Sequence, residues 1–136
     1  MASIPSTING VDVVFGSGVC NNVDETLIAG LKHCISYHIA LGHVLSSIYI
    51  SSAFDSHQLP SRHMQHKAVD ISRINGTKIV VGYSSGASVK AIVDAIQDRF
   101  ETYSGRRENF GPHLKNKLGG GWSISGHNDH IHLSVN

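Results

Sequence analysis

Five of the ten histidines in this chain of 136 residues fall in two short stretches, "SRHMQHKAVDI" at 61–71 and "HNDHIHLSV" at 127–135, together with Asp70 and Asp129. Imidazole nitrogens and carboxylate oxygens make a borderline donor set that suits Zn²⁺, and three protein ligands leave the fourth tetrahedral position for water. "HIHLSV" alternates strictly, so His130, His132 and Ser134 share one face of a strand while Ile131, Leu133 and Val135 take the other. The same alternation in "KAVDISRI" puts Ala68, Asp70 and Ser72 on one face and Val69 and Ile71 on the core side. An aspartate within an apolar strand is costly to bury without a cation or several donors. His63, seven positions earlier, can swing back over the Asp70 face from a preceding loop. A histidine, a carboxylate and a second histidine are thus available as donors for one zinc ion. A metal-bound water still needs a group that takes its proton and passes it to the leaving group. Asp129, three residues before His132 at the mouth of the strand, is expected in that role.

These side chains need a scaffold, and the rest of the chain supplies one. "NNVDETLIAGLKHCISYHIALG" opens with Asn22 and Glu25 in capping-box spacing, and Leu27, Ile28, Leu31, Cys34, Ile35 and His38 recur at helical intervals. That pattern predicts a helix ending near Gly42. "SSIYISSAF" alternates as a half-buried strand with Ile48 and Ile50 inward. "KAVDISRI" and "TKIVVGY" read as two strands joined by Asn75-Gly76, a two-residue hairpin signal, because both positions must tolerate positive φ. "SVKAIVDAIQDRFETY" carries Val89, Ile92, Val93, Ile96 and Phe100 on one stripe, a second amphipathic helix. Residues 104–126 are rich in glycine and polar side chains, with Phe110, Leu114, Leu118 and Trp122 as anchors, and predict a long loop.

Length and composition bound the functional classes. A chain of 136 residues fits one domain, here 1–136, and 40% hydrophobic with 15% charged residues describes a globular protein. Net charge is +1 and the nearest basic cluster is Arg106-Arg107, so no nucleic-acid partner is expected. The N-terminal residues lack a basic, apolar leader, and no run reaches the roughly 18 apolar residues of a membrane span. Synthesis in the cytosol, no stable membrane association and a monomeric state are the corresponding expectations. The two cysteines, Cys20 and Cys34, are spaced too widely for a metal pair. Cys34 reads as a buried apolar residue, and a Cys20–Cys34 disulfide lacks the secretory context that would favour it.

Ser61, His63 and Asp70 stand as S-x-H-x₆-D, and Asp129 and His132 far downstream as D-x-x-H. Together they resemble the zinc-binding pattern of a peptidase group that holds D-alanyl-D-alanine carboxypeptidases, D,D-dipeptidases and phage L-alanyl-D-glutamate endopeptidases. The wider group includes lysostaphin-type enzymes, murein endopeptidases and the hedgehog signalling domain. The resemblance implies His63, Asp70 and His132 as zinc ligands and Asp129 as catalytic acid/base. It also implies an α+β fold, a small antiparallel sheet with flanking helices of the hedgehog/DD-peptidase type. "GHNDHIHL" is similar to the murein endopeptidase ending, which implies His127 and His130 beside the metal, with His130 either supporting the metal ligands or stabilising the transition state. Ser61, His66, Trp122 and His127 are the candidates for substrate contacts, although Trp122 equally suits an anchor for a glycine-rich loop.

Two departures qualify the resemblance. Many members carry a glycine where this chain has His66. Many also carry an arginine that grips a terminal carboxylate where this chain has Asp55. The second points to an endopeptidase over a carboxypeptidase, acting on peptidoglycan stem peptides. The short chain without a wall-binding module fits a phage endolysin or a virion-associated enzyme acting on the bacterial wall. The alternative is a zinc-binding module of hedgehog-like architecture without catalysis. His33, His38, His43, His57 and His113 read as structural or surface residues.

Overall fold

Apolar alternation at 131–135 produces the central strand of the molecule. In the computed structural model, which describes residues 1–53, 66–118 and 126–136, Ile131, Leu133 and Val135 are fully buried while His132 keeps partial access to the other face. Ser61, His63 and Trp122, expected at the site, and Asp55 and His57 lie outside the described residues. The fold is mixed α+β.

Its main sheet contains β2 (Thr7–Ile8), β3 (Val11–Phe15), β5 (Ser47–Ser52), β6 (Ala68–Ile74), β7 (Thr77–Lys78), β8 (Arg106–Phe110), β9 (Lys115–Lys117) and β10 (Ile131–Val135). The spatial order is β2-β3-β5-β6-β10-β8-β9, with β7 paired to β6. The sheet is antiparallel except at β3 and β5, which run parallel. It is thus larger than the small antiparallel sheet expected. The long connection between β3 and β5, containing α1 (Glu25–Cys34), makes the parallel pairing possible. A separate two-stranded antiparallel ribbon pairs β1 (Ala2–Ser3) with β4 (Asn22–Val23).

The predicted first helix is shorter at both ends. Asn22 belongs to β4, and Asp24 is the N-cap, its carboxylate accepting from the Thr26 amide at 2.8 Å. At the other end, Asn9 Nδ2 donates to the carbonyls of Lys32 and Ile35 at 2.9 and 3.0 Å. Ile35 is extended, with φ −108° and ψ 123°, so the helix stops at Cys34, and Ile35 and Ile39 reach the core without it. Asn9 owes this position to a hairpin at Asn9-Gly10, where φ is 49° and 82°.

The Asn75-Gly76 hairpin forms as expected, with φ of 52° and 82°. Asn75 Oδ1 also accepts from the amides of Ser46 and Ser47 at 2.7 and 3.2 Å, fixing the hairpin against the start of β5. The strand expected from "TKIVVGY" lasts only two residues, and α2 (Ile79–Ser85) follows. Tertiary packing overrides the β-branched run. Ile79 and Gly82, three apart, face inward, while Val80 and Val81 are exposed. A Cβ on Gly82 would lie 2.6 Å from Val89 Cγ2, so the glycine permits close approach of α3 (Ala87–Phe100). On α3 the expected stripe of Val89, Ile92, Val93, Ile96 and Phe100 is buried. Burying each such side chain contributes about 1.5–3 kcal/mol.

The loop expected over 104–126 is, in its described part, the β8–β9 hairpin. Gln97, fully buried on α3, holds it. Its Oε1 accepts from the amides of His113 and Leu114 at 3.0 and 3.1 Å, and its Nε2 donates to Asn109 Oδ1 and the Leu114 carbonyl, both at 3.0 Å. No helix among the described residues is long and apolar enough by itself to cross a membrane. Both cysteines are free, Cys20 exposed and Cys34 buried.

Candidate metal centre

The strand register forms one row of side chains across three strands. Asp70 on β6 is opposite His132 on β10, and His132 is opposite Phe110 on β8. Alternation places these residues on one face, while Val69, Ile71 and Leu133 join the core beneath. His132 Nδ1 lies 3.0 Å from Asp70 Oδ1, and Nε2 lies 3.1 Å from Glu108 Oε1 on β8. Phe110 stacks on the imidazole at 5.6 Å between centroids and an interplanar angle of 16°. The side chains of His132, Asp70 and Glu108 retain only 12%, 16% and 14% exposure, so the charges interact at reduced screening. Burial alone would lower the His132 pKa, but the hydrogen bonds and charges of Asp70 and Glu108 outweigh it and raise it to about 9. Burial would raise Glu108, yet hydrogen bonds from His132 and Ser134 hold its pKa down at about 2.

The segment entering β10 brings further groups to this row. His130 Nδ1 is 2.6 Å from Asp129 Oδ1, and His130 Nε2 is 3.8 Å from Asp70 Oδ1. The His130 hydrogen bond keeps the Asp129 carboxyl below its ordinary pKa, although its side chain is 65% exposed. His127, in the left-handed region at φ 57°, packs its ring against Phe110, His130 and His132 at 5.2, 5.1 and 5.9 Å. Lys115 Nζ, bonded to the Gly111 carbonyl at 2.8 Å and to Asn128 Oδ1 at 3.0 Å, ties this segment to the β8–β9 hairpin.

Of the expected site residues, Asp70, His132, Asp129, His130 and His127 are brought together. His66 points elsewhere along the chain: its Nδ1 donates to the Asn22 carbonyl at 2.7 Å, and its own carbonyl accepts from the Asp24 amide at 2.9 Å. Its φ is 58°, the left-handed conformation that favours glycine. Among the histidines assigned structural roles, His33 bonds Thr102 Oγ1 at 2.7 Å and His113 bonds Asp98 at 2.9 Å.

Glu108 escapes a motif reading because it belongs to neither histidine stretch. The available signal is the alternation of Glu108, Asn109 and Phe110: Asn109 turns toward Gln97 on α3, and its neighbours turn toward His132.

The donor chemistry of the Asp70–His132 pair fits zinc. Tetrahedral zinc with bonds of about 2.0–2.2 Å spaces adjacent donor atoms by roughly 3–3.5 Å, comparable to the 3.0 Å between His132 Nδ1 and Asp70 Oδ1. Among the described residues, no group of three or more His, Cys, Asp and Glu side chains is arranged to hold a metal ion. Asp70 and His132 are two of the three expected ligands; the third, His63, lies outside the described residues. No family model, curated protein or solved structure matches the chain.

Proposed function

We propose that the chain is a zinc-dependent peptidase that hydrolyses an amide bond in peptidoglycan stem peptides, on a fold of the hedgehog/DD-peptidase type. The supporting observation is the facing of Asp70 and His132 across β6 and β10, with Asp129 and His130 at the mouth of the same strand. His63, Asp70 and His132 would hold one zinc ion. Bound there, zinc supplies a water of lowered pKa and a Lewis acid for the amide carbonyl.

The remaining work belongs to the side chains. Asp129, kept ionised by His130, is in the form that accepts a proton from the attacking water, and its exposure lets it return that proton to the departing amine. His130, whose Nδ1 is engaged by Asp129, has its Nε2 3.8 Å from Asp70 Oδ1 and would donate to a developing oxyanion. Asp55 in place of the carboxylate-gripping arginine favours internal cleavage over removal of a terminal residue. A substrate in the bacterial wall is consistent with a phage endolysin or virion-associated enzyme.

The test is digestion of purified murein of several wall chemotypes by zinc-loaded protein, followed by mass spectrometry of the muropeptides. Release of new amino groups at one stem-peptide bond is expected. Zinc binding with no cleavage in any chemotype would overturn the peptidase reading and assign a zinc-binding module instead.

A further inference from the structure

The sheet face that carries Asp70 and His132 holds a second row of side chains. Strict alternation along β6 would send Arg73 to the core with Ile71. The pairing with β5 instead steps from Ile50 opposite Ile71 to Tyr49 opposite Arg73, which leaves Ser72 unpaired as a bulge. The bulge returns Arg73 to the face of Asp70, while Ile71 and Ile74 both stay buried. β5 takes one edge of β6, and β10 and β7 take the other in succession, so Arg73 is flanked by Tyr49 and Lys78. The Tyr49–Arg73–Lys78 row therefore runs beside the Asp70–His132 row, roughly 7–10 Å away along the strand. We propose that this second row is an anion-binding subsite that takes an acidic side chain of a peptide laid across the sheet. Naming a peptide rests on the peptidase reading, whereas the anion binding itself needs no metal.

Three features support the assignment. The Arg73 guanidinium carbon lies over the Tyr49 ring, 4.5 Å from its centroid. Such a contact holds the cation on the π face and uses none of its N–H donors, which stay available to a carboxylate. The platform is itself fixed, because a Cβ on Gly16 would lie 2.9 Å from the Tyr49 hydroxyl oxygen and only glycine leaves that room. Arg73 and Lys78 also face each other as like charges on adjacent strands, an arrangement that costs stability until an anion lies between them. Among the described residues no carboxylate forms an ion pair with either cation; Asp70, the acid of the same strand, approaches His130 and His132 instead. An extended peptide advances about 3.3 Å per residue, so an acidic side chain two or three residues from a bond held at the Asp70–His132 row reaches Arg73. A side-chain carboxylate, and not a chain terminus, agrees with internal cleavage.

The experiment titrates the full ¹⁵N-labelled chain with a glutamate tripeptide blocked at both ends and with its glutamine counterpart, following the amide and arginine Nε resonances. The wild type should bind the glutamate peptide roughly fivefold more tightly, with shifts at Tyr49, Arg73 and Lys78. Arg73→Gln should abolish that preference, and Arg73→Lys, which keeps the charge without the planar fork, should retain only part of it. Equal binding of the two peptides by the wild type, or an undiminished preference in folded Arg73→Gln, overturns the subsite. If Arg73→Gln does not fold, the wild-type comparison decides together with Lys78→Gln, which should weaken the preference. Two further probes identify the anion: N-acetylated trialanine with a free carboxyl terminus, and inorganic phosphate. Tighter binding of either at the same amides overturns the assignment to an acidic side chain. A preference for glutamate in a zinc-loaded chain that cleaves no murein would overturn the peptidase reading and leave the subsite standing.

Discussion

His132 and Asp70 face each other on adjacent antiparallel strands, Nδ1 to Oδ1 at 3.0 Å, while the other ring nitrogen meets Glu108 at 3.1 Å. One imidazole therefore separates two largely buried carboxylates. His132→Phe would preserve the stacking surface toward Phe110 but leave Asp70 and Glu108 without that intervening group. The metal-free variant should lose about 3 kcal/mol, as when one member of a buried ion pair is removed. Urea unfolding at pH 7 measures the loss, and an unchanged midpoint would show that the pair contributes nothing to the fold.

Asp129 tests the chemistry apart from the scaffold. Its side chain is 65% exposed, so Asp129→Asn should change stability by no more than about 0.5 kcal/mol. Murein cleavage should fall roughly 10²–10⁴-fold, with zinc content unchanged by atomic absorption. Retention of full turnover would remove Asp129 from the acid/base role.

His66 separates backbone strain from side-chain bonding. Its left-handed φ of 58° costs a residue with a Cβ about 1–2 kcal/mol, and its bond to the Asn22 carbonyl returns a comparable amount. His66→Gly should therefore be nearly neutral in thermal denaturation. His66→Ala keeps the strain without the bond and should be less stable than the glycine variant by about 1 kcal/mol. Equal melting temperatures for the two would contradict the strain argument.

Gln97 is the buried link between α3 and the β8–β9 hairpin. Gln97→Leu would leave the His113 and Leu114 amides without their acceptor, at a cost of about 3 kcal/mol. Hydrogen exchange should quicken across 106–117 before it does in β5 and β6. Uniform protection in the variant would rule out this local anchoring.

The two thiols should diverge in alkaline solution. Burial pushes the Cys34 thiol from an ordinary 9.0 up to about 12, whereas Cys20 is exposed. Between pH 7 and 9, iodoacetamide should modify Cys20 and spare Cys34 in the folded chain. The neutral Cys34 contributes stability that is fully present below about pH 9 and lost as pH rises toward 12, because only the unfolded chain ionises there. Equal modification of both thiols would contradict the burial of Cys34.

Alternation and helical stripes were the most readable signals in the sequence. Ile131, Leu133 and Val135, and the α3 stripe from Val89 to Phe100, are buried as their spacing predicts. Partial readability began where distant residues decide a local outcome. The first helix ends because Asn9 bonds its last turn, and α2 forms because Gly82 fits against Val89. Ile8-Asn9-Gly10 repeats the tripeptide Ile74-Asn75-Gly76, so the first hairpin carried the same turn signal as the second. At the site, alternation put Asp70 and His132 each on the polar side of its own strand, and the resemblance joined them as ligands, but the pairing of β6 with β10 was not written in either strand. Glu108 was not readable, because its place depends on β8 pairing beside β10, a register that neither strand specifies separately.

β10 lies between β6 and β8 in the sheet, yet it follows every other described strand in the chain. During synthesis the two neighbouring strands therefore wait with open hydrogen-bonding edges until the histidine-bearing strand emerges. Such edges recruit foreign strands and invite aggregation. Closing them and assembling the row of Asp70, His132 and Glu108 become a single late folding event, so a chain cut short before β10 would lack both the seam and that row.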